Sequence, residues 1–223
     1  MSLNENRIEF TFNARYYTLG PFSSAIKHVW FVCHGHGHLA QYFIKQFEPL
    51  NDGQHLIVAP EGLSRYYLKG FTGRVGATWM TKEDRLSDIE NYLNYLETVY
   101  NEVMQGLADD VKVTFFGFSQ GAATISRFAT QRQSRFDRLI LWAGIFPPDL
   151  PPLESTQRLK GKPTYWVYGT KDPFLSSGIM EEQENIASQI QITPEVISFE
   201  GEHELYEKVL LQLSKSPYQR SHQ

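Results

Sequence analysis

The sequence has only one cysteine, Cys33, in 223 residues, so it can form no intramolecular disulfide. It lacks an apolar run long enough to cross a membrane, and residues 1–7 contain no apolar core of a signal peptide. It also lacks a basic run, and its net charge is −4, which argues against nucleic acid as a partner. These absences predict a cytoplasmic protein that neither enters a membrane nor binds nucleic acid.

Apolar residues are not scarce, because they make up 41% of the chain, enough for one substantial core. We therefore expect a single domain over residues 1–223. Residues 7–12 and 14–19 each alternate in polarity and predict an antiparallel hairpin. Strand-like and helix-like segments then alternate to the end of the chain. This order predicts the α/β class, with a mostly parallel sheet covered by helices on both faces.

The most informative segment is Gly117-Phe118-Ser119-Gln120-Gly121, a serine between two glycines. The β-branched and aromatic residues 111–116 before it predict a strand, and residues 122–131 after it predict a helix. A turn this tight between a strand and a helix admits little besides glycine at its flanks, and it exposes the serine hydroxyl. The segment predicts a nucleophile elbow with Ser119 as the nucleophile.

A serine hydroxyl is a weak nucleophile at neutral pH and needs a histidine base and an orienting acid, which follow the elbow serine in the order acid, histidine. Only His203 and His222 follow Ser119. His222 is the penultimate residue of a polar tail that we expect to fray. His203 lies in a short loop between strand-like residues 195–199 and helix-like residues 205–213. We therefore predict His203 as the base.

The acid should follow a strand at the same sheet edge as Ser119. Asp137 precedes a strand-like apolar segment and so belongs at the opposite edge. Asp172 follows strand-like residues 164–168, and Asp149 follows the preceding strand in a proline-rich loop. We favour Asp172 and keep Asp149 as the alternative. An aspartate in a turn before proline is also common without any catalytic role.

Acyl transfer also requires backbone N–H groups directed at the oxyanion. One is expected from Gln120, directly after the nucleophile, and the other from His36 in the early loop, His34-Gly35-His36-Gly37-His38. The three histidines also suggest a metal site. However, neighbouring side chains of an extended segment point to opposite sides, and no cysteine pair completes a tetrahedral ligand set. We therefore expect no metal.

Residues 61–80 show no clear periodicity, and a long irregular segment in a compact domain is usually functional or mobile. Its aromatic residues either line an acyl pocket or cover the sheet edge, and the sequence supports both interpretations equally. Phenylalanines near the predicted site loops belong to the same class. The candidate substrate-binding residues are Trp79, Met80, Phe118, Phe146 and Phe174.

Together, these motifs resemble the phospholipase/carboxylesterase family of α/β hydrolases, which includes the acyl-protein thioesterases. The motifs are the elbow, the early His34-Gly35-x-Gly37 turn, Asp172 before a proline, and Gly201-x-His203. The resemblance covers most of the chain and implies a Ser119–Asp172–His203 triad, oxyanion donors at His36 and Gln120, and no cofactor. It also implies hydrolysis of short or medium acyl esters or thioesters. Where this chain has His38, many members have an aspartate.

The resulting hypothesis is a serine carboxylic-ester hydrolase whose partner is a small-molecule ester. A thioesterase or a small-peptide hydrolase would use the same triad with a different pocket. The alternative from another class is a catalytically silent hydrolase fold that binds a small ligand or a protein, and the order Ser119, Asp172, His203 argues against it. The sequence leaves the oligomeric state open, a homodimer included.

Overall fold

A computed structural model describes residues 3–218 of the chain. Its strands are β1 (Tyr16–Leu19), β2 (His28–Cys33), β3 (His55–Pro60), β4 (Ser64–Tyr67), β5 (Val75–Thr78), β6 (Lys112–Phe118), β7 (Arg138–Trp142), β8 (Thr164–Gly169) and β9 (Glu195–Phe199). Its helices are α1 (Ala40–Phe43), continued by a 3-10 helix over Ile44–Leu50, α2 (Arg85–Gln105), α3 (Gln120–Gln131), α4 (Pro152–Leu159), α5 (Ser177–Gln189) and α6 (Glu207–Ser214).

The central sheet has seven strands in the order β1-β3-β2-β6-β7-β8-β9. All neighbouring strands from β3 to β9 in this order are parallel, and only β1 runs antiparallel to its neighbour β3. Successive side chains of a strand point to opposite faces. Accordingly, Val29 and Phe31 of β2 join an apolar cluster with α2 and α3, whereas Trp30 and Val32 join a second cluster with α1 and α6. Helices therefore cover both faces.

The antiparallel pair at the N-terminus differs from the expected hairpin. Residues 7–12 form no strand, and Tyr16–Leu19 pairs with β3 instead of with residues 7–12. The side chains of Ile8 and Phe10 consequently remain exposed. An isolated two-stranded hairpin is only marginally stable, whereas pairing with the fully buried β3 extends a large sheet. The pairing partner of β1 is therefore determined more by the free edge of β3 than by the local alternation in polarity.

Residues 61–80 also differ from the irregular segment that we expected, because β4 and β5 form a separate antiparallel hairpin there. Both strands have only four residues and little alternation in polarity, so the sequence pattern did not reveal them. No helix within residues 3–218 has the length and apolar composition that a membrane-spanning helix requires. The parallel strands end at one edge of the sheet, and the loops that follow them form the candidate site.

Candidate active site

Ser119 lies in the tight turn between β6 and α3. Its backbone has φ 54° and ψ −120°, a region that non-glycine residues rarely adopt. Glycine is required beside it because a Cβ on Gly121 would lie 2.1 Å from the carbonyl oxygen of Cys33. Helix α3 therefore begins directly against the end of β2. The backbone geometry is that of a nucleophile elbow.

Asp172 and His203 come together at the ends of β8 and β9. The Nδ1–H of His203 donates to Oδ2 of Asp172 over 2.7 Å, and the backbone N–H of Phe174 donates to Oδ1 of Asp172 over 2.9 Å. The Asp172 side chain is fully buried, whereas about a fifth of the His203 side chain is exposed. This bond fixes the tautomer of His203 and leaves Nε2 able to accept a proton.

Two phenylalanines hold the His203 ring. Phe118, directly before Ser119, has its ring centroid 4.9 Å from that of His203, and Phe174 makes an edge contact at 4.7 Å. Phe118 is buried, whereas Phe174 is 64% exposed. His203 is therefore packed beside the elbow, and Phe174 presents an apolar surface to solvent at the same place.

Asp149, the alternative acid, lies in a different environment. It accepts hydrogen bonds from Arg127 of α3, at 2.8 Å, and from Arg85 of α2. Burial raises the pKa of Asp149, but the hydrogen bonds from the two arginines outweigh this effect, so the pKa is lowered. Its described contacts therefore tie α2 to α3. His222, the other histidine after the elbow, lies outside the described residues.

The early loop packs directly against the elbow. A Cβ on Gly35 would lie 3.2 Å from Cβ of Ser119, so a larger residue at position 35 would separate them. The backbone N–H of Gly37 donates to the carbonyl of Ala77, and the N–H of Ala77 donates to the carbonyl of His38. The loop that contains His36 is thus fixed on one side by Ser119 and on the other by β5.

The three histidines of the loop have different surroundings. His34 is fully buried, and because its Nε2 accepts the N–H of Gly62, its Nδ1–H donates to Gly35. Burial lowers the pKa of His34 to about 4, so the ring is neutral. His38 stacks on Phe118 with centroids 5.6 Å apart. Within residues 3–218, no three His, Cys, Asp or Glu side chains form a potential metal site.

The side chain of Gln120 makes contacts that the motif did not reveal. Its Oε1 accepts hydrogen bonds from the Thr78 hydroxyl and the Trp79 N–H, and its Nε2 donates to the carbonyl of Met80. His36 extends this chain, because its Nδ1 bonds to Thr78 and its Nε2 to the hydroxyl of Tyr66. Gln120 thereby holds the segment 78–80 in place.

Glu61 also makes contacts that the sequence did not reveal. Its buried carboxylate accepts hydrogen bonds from Arg15, at 2.7 Å, and from the backbone N–H of Ala40 at the start of α1. Arg65 of β4 lies 3.5 Å from the same carboxylate. Glu61 therefore fixes the first residue of this segment to the helix that follows the early loop.

The five candidate substrate-binding residues do not form one surface. Phe118 and Phe174 contact His203, whereas Trp79 and Phe146 are buried in the core. The Trp79 indole N–H donates to the carbonyl of His34, so Trp79 supports the early loop from inside the protein. Met80 is half-buried, and its carbonyl receives the Gln120 amide.

Comparison with known proteins identifies the family of the chain and the solved structures that share its fold. The family model described as phospholipase/carboxylesterase matches residues 21–219. No curated protein matches the chain. Similar solved structures include a carboxylesterase from Mesorhizobium loti, with TM-score 0.72, 19% identity, and coverage of 92% of this chain and 95% of the other. Acyl-protein thioesterase 2 of Zea mays has a TM-score of 0.69 and 17% identity, with coverage of 91% of this chain and 97% of the other. The Bacillus cereus carboxylesterase has a TM-score of 0.67 and 16% identity, with coverage of 91% of this chain and 94% of the other.

Proposed function

Because the chain belongs to the phospholipase/carboxylesterase family of α/β hydrolases and is a serine hydrolase, we propose that it hydrolyses carboxylic esters of short or medium acyl chains. In this proposal Ser119 is the nucleophile, His203 the general base and Asp172 the orienting acid. The observation that carries the proposal is the 2.7 Å bond between His203 and the buried Asp172, with His203 packed against Phe118 beside the elbow.

Acylation starts when Ser119 attacks the carbonyl carbon of the ester while Nε2 of His203 takes the hydroxyl proton. Asp172 stabilises the imidazolium that forms. His203 then gives the proton to the leaving alcohol as the carbon–oxygen bond breaks, and the acyl group stays on Ser119. A water molecule repeats the same steps, with His203 again as the base, and releases the acid.

The oxyanion is stabilised in this proposal by the backbone N–H groups of His36 and Gln120. The packing of Gly35 against Ser119 supports this assignment, because it holds the early loop at van der Waals distance from the nucleophile. Donors fixed before the reaction stabilise the developing charge without reorganisation. Phe174 is the substrate-binding residue that this geometry favours most, because it is exposed and touches His203.

The proposal is tested with a fluorophosphonate probe and p-nitrophenyl esters of increasing acyl length. Ser119→Ala should abolish labelling and lower kcat about a thousandfold or more, because the nucleophile is lost. Circular dichroism should show an unchanged fold. Ser126→Ala, which changes a buried serine of the same helix, is the control and should still label. Near-normal turnover by Ser119→Ala would exclude this mechanism, and a matched p-nitrophenyl ester and thioester pair measures the leaving-group preference.

A further inference from the structure

A cavity of about 570 Å³ adjoins the early loop directly after His36. Its lining includes the side chains of His38, Tyr42, Phe43 and Arg74. Of the described residues that line it, none is an aspartate or a glutamate. The cavity therefore combines aromatic walls with one permanent cation.

This cavity is next to the proposed catalytic residues. His38 lines it and stacks on Phe118, and Phe118 contacts the His203 ring. Arg74 is held close to the same loop because it directly precedes β5, whose Ala77 forms two backbone hydrogen bonds with the loop. Burial is the largest cause of the lowered pKa of His38, and Arg74 contributes to it after burial and His203. A part of the substrate that extends from the proposed catalytic residues past the early loop would therefore contact Arg74.

Arg74 differs from the other arginines of residues 3–218. Its guanidinium has no hydrogen-bond or ion-pair partner in this part of the chain, whereas the guanidinium of every other described arginine has one. Those arginines bind carboxylates, hydroxyls or carbonyls of the protein: Arg7, Arg15, Arg65, Arg85, Arg127, Arg132, Arg135, Arg138 and Arg158. Arg74 is therefore free to bind a group from outside the chain.

The surrounding segment strengthens the positive potential. Residues 62–82 contain four cations, Arg65, Lys69, Arg74 and Lys82, and no acidic residue, although the whole chain has a net charge of −4. A cleft of one charge sign concentrates ligands of the opposite sign. Guanidinium also matches the planar oxygens of carboxylate and phosphate with two parallel hydrogen bonds.

We propose that the substrates of this enzyme carry an anionic group, a carboxylate or a phosphate, which Arg74 binds in the cavity beside the early loop. The inference rests on the proposed esterase function and adds the substrate class. The part of the substrate between the ester and the anion packs against Tyr42 and Phe43. Because Arg74 is exposed, the preference for anionic esters should weaken as salt increases.

The test compares matched anionic and neutral esters by their ratio of kcat/KM at low salt. One pair has the anion on the acyl side: mono-p-nitrophenyl adipate and its methyl ester. The other series has it on the alcohol side: 4-acetoxybenzoate and 4-acetoxyphenyl phosphate against methyl 4-acetoxybenzoate. In at least one series, Arg74→Gln should lower the anionic-to-neutral ratio about tenfold. Lys69→Gln removes the same charge from the same hairpin outside the cavity and should lower the ratio far less, because Lys69 acts only through the general potential.

Comparison of the series identifies which side of the ester, and which anion, Arg74 binds. An anionic-to-neutral ratio that is equal in the wild-type protein and Arg74→Gln in every series would overturn the inference. So would an equal loss in Lys69→Gln, because the effect would then be one of net charge. If Ser119→Ala still hydrolysed the neutral esters, the proposed function itself would fail. The two failures are therefore distinguishable.

Discussion

The strand-end region, which comprises the early loop and the turn around Ser119, is fixed by a different mixture of contacts from the segment 61–80. In the strand-end region, the closest contacts are made with backbone atoms: a Cβ on Gly121 would meet the carbonyl of Cys33, and a Cβ on Gly117 would meet the carbonyl of Gly121. Residues 61–80 have such contacts as well, at Gly62 and Gly76. They are fixed in addition by side chains, through the carboxylate of Glu61 and the amide of Gln120. The backbone contacts leave no space for a side chain, whereas the side-chain contacts of Glu61 and Gln120 do not have this restriction.

In the proposed mechanism, this difference separates the residues that carry out the reaction from those that select the substrate. Contacts between main chains depend on residues that are recognisable as glycines, and they hold the proposed nucleophile and the early loop at a fixed separation. Contacts between side chains can be exchanged one at a time. Arg74, in the proposed anion site, belongs to the second region. The comparison can be tested by changes that act on each region in turn.

The largest effect is expected from the acid in the strand-end region. Asp172→Asn should lower kcat about 10³- to 10⁴-fold, because the amide no longer fixes the tautomer of His203 or stabilises its charged form. Asp149→Asn is the matched control. It should leave kcat nearly unchanged and lower the free energy of unfolding by about 1–3 kcal/mol, because the buried Arg127 loses the negative charge of its carboxylate partner. Steady-state kinetics and urea unfolding measure both quantities, and a catalytic loss confined to Asp149→Asn would reverse the assignment.

A smaller effect is expected from Gly121→Ala, which acts on main-chain packing. The added Cβ has to displace the carbonyl of Cys33, so kcat should fall about a hundredfold and the free energy of unfolding by about 1–3 kcal/mol. Gly178 of α5 is the matched control, because a Cβ there meets no atom within 4 Å. Gly178→Ala should stabilise the protein by about 0.5–1 kcal/mol. Equal behaviour of the two variants would show that the contact is not limiting.

The smallest effect is expected from Gln120→Ala, which releases residues 78–80 but keeps the backbone N–H of residue 120. We expect kcat/KM to fall about tenfold. Limited proteolysis should cut within residues 62–80 faster than in the wild-type protein. Gln131→Ala, at the other end of α3, should match the wild type in both measurements. Unchanged proteolysis of Gln120→Ala would mean that Glu61 and the backbone hydrogen bonds of Ala77 are sufficient to hold the segment.

The sequence predicted the family, the α/β class and the mostly parallel sheet, because the strand–serine–helix turn and the long apolar strands are local patterns. The motif could not show the second role of Gln120, since its amide acts on residues 40 positions earlier in the chain. The pairing partner of β1 depended on the free edge of β3, a property of the assembled sheet. The unpaired state of Arg74 likewise depends on which carboxylates the fold brings near it.

The contact between Gly121 and Cys33 also has a consequence for the design of variants. A library that varies Tyr66, Leu68 and Arg74 changes positions at which the described contacts involve side chains or backbone hydrogen bonds that any residue except proline can keep. A library that varies Gly117 or Gly121 changes positions that tolerate no side chain. New substrate preferences should therefore be sought at Tyr66, Leu68 and Arg74, where a poor choice should lower affinity and leave the proposed reaction centre assembled.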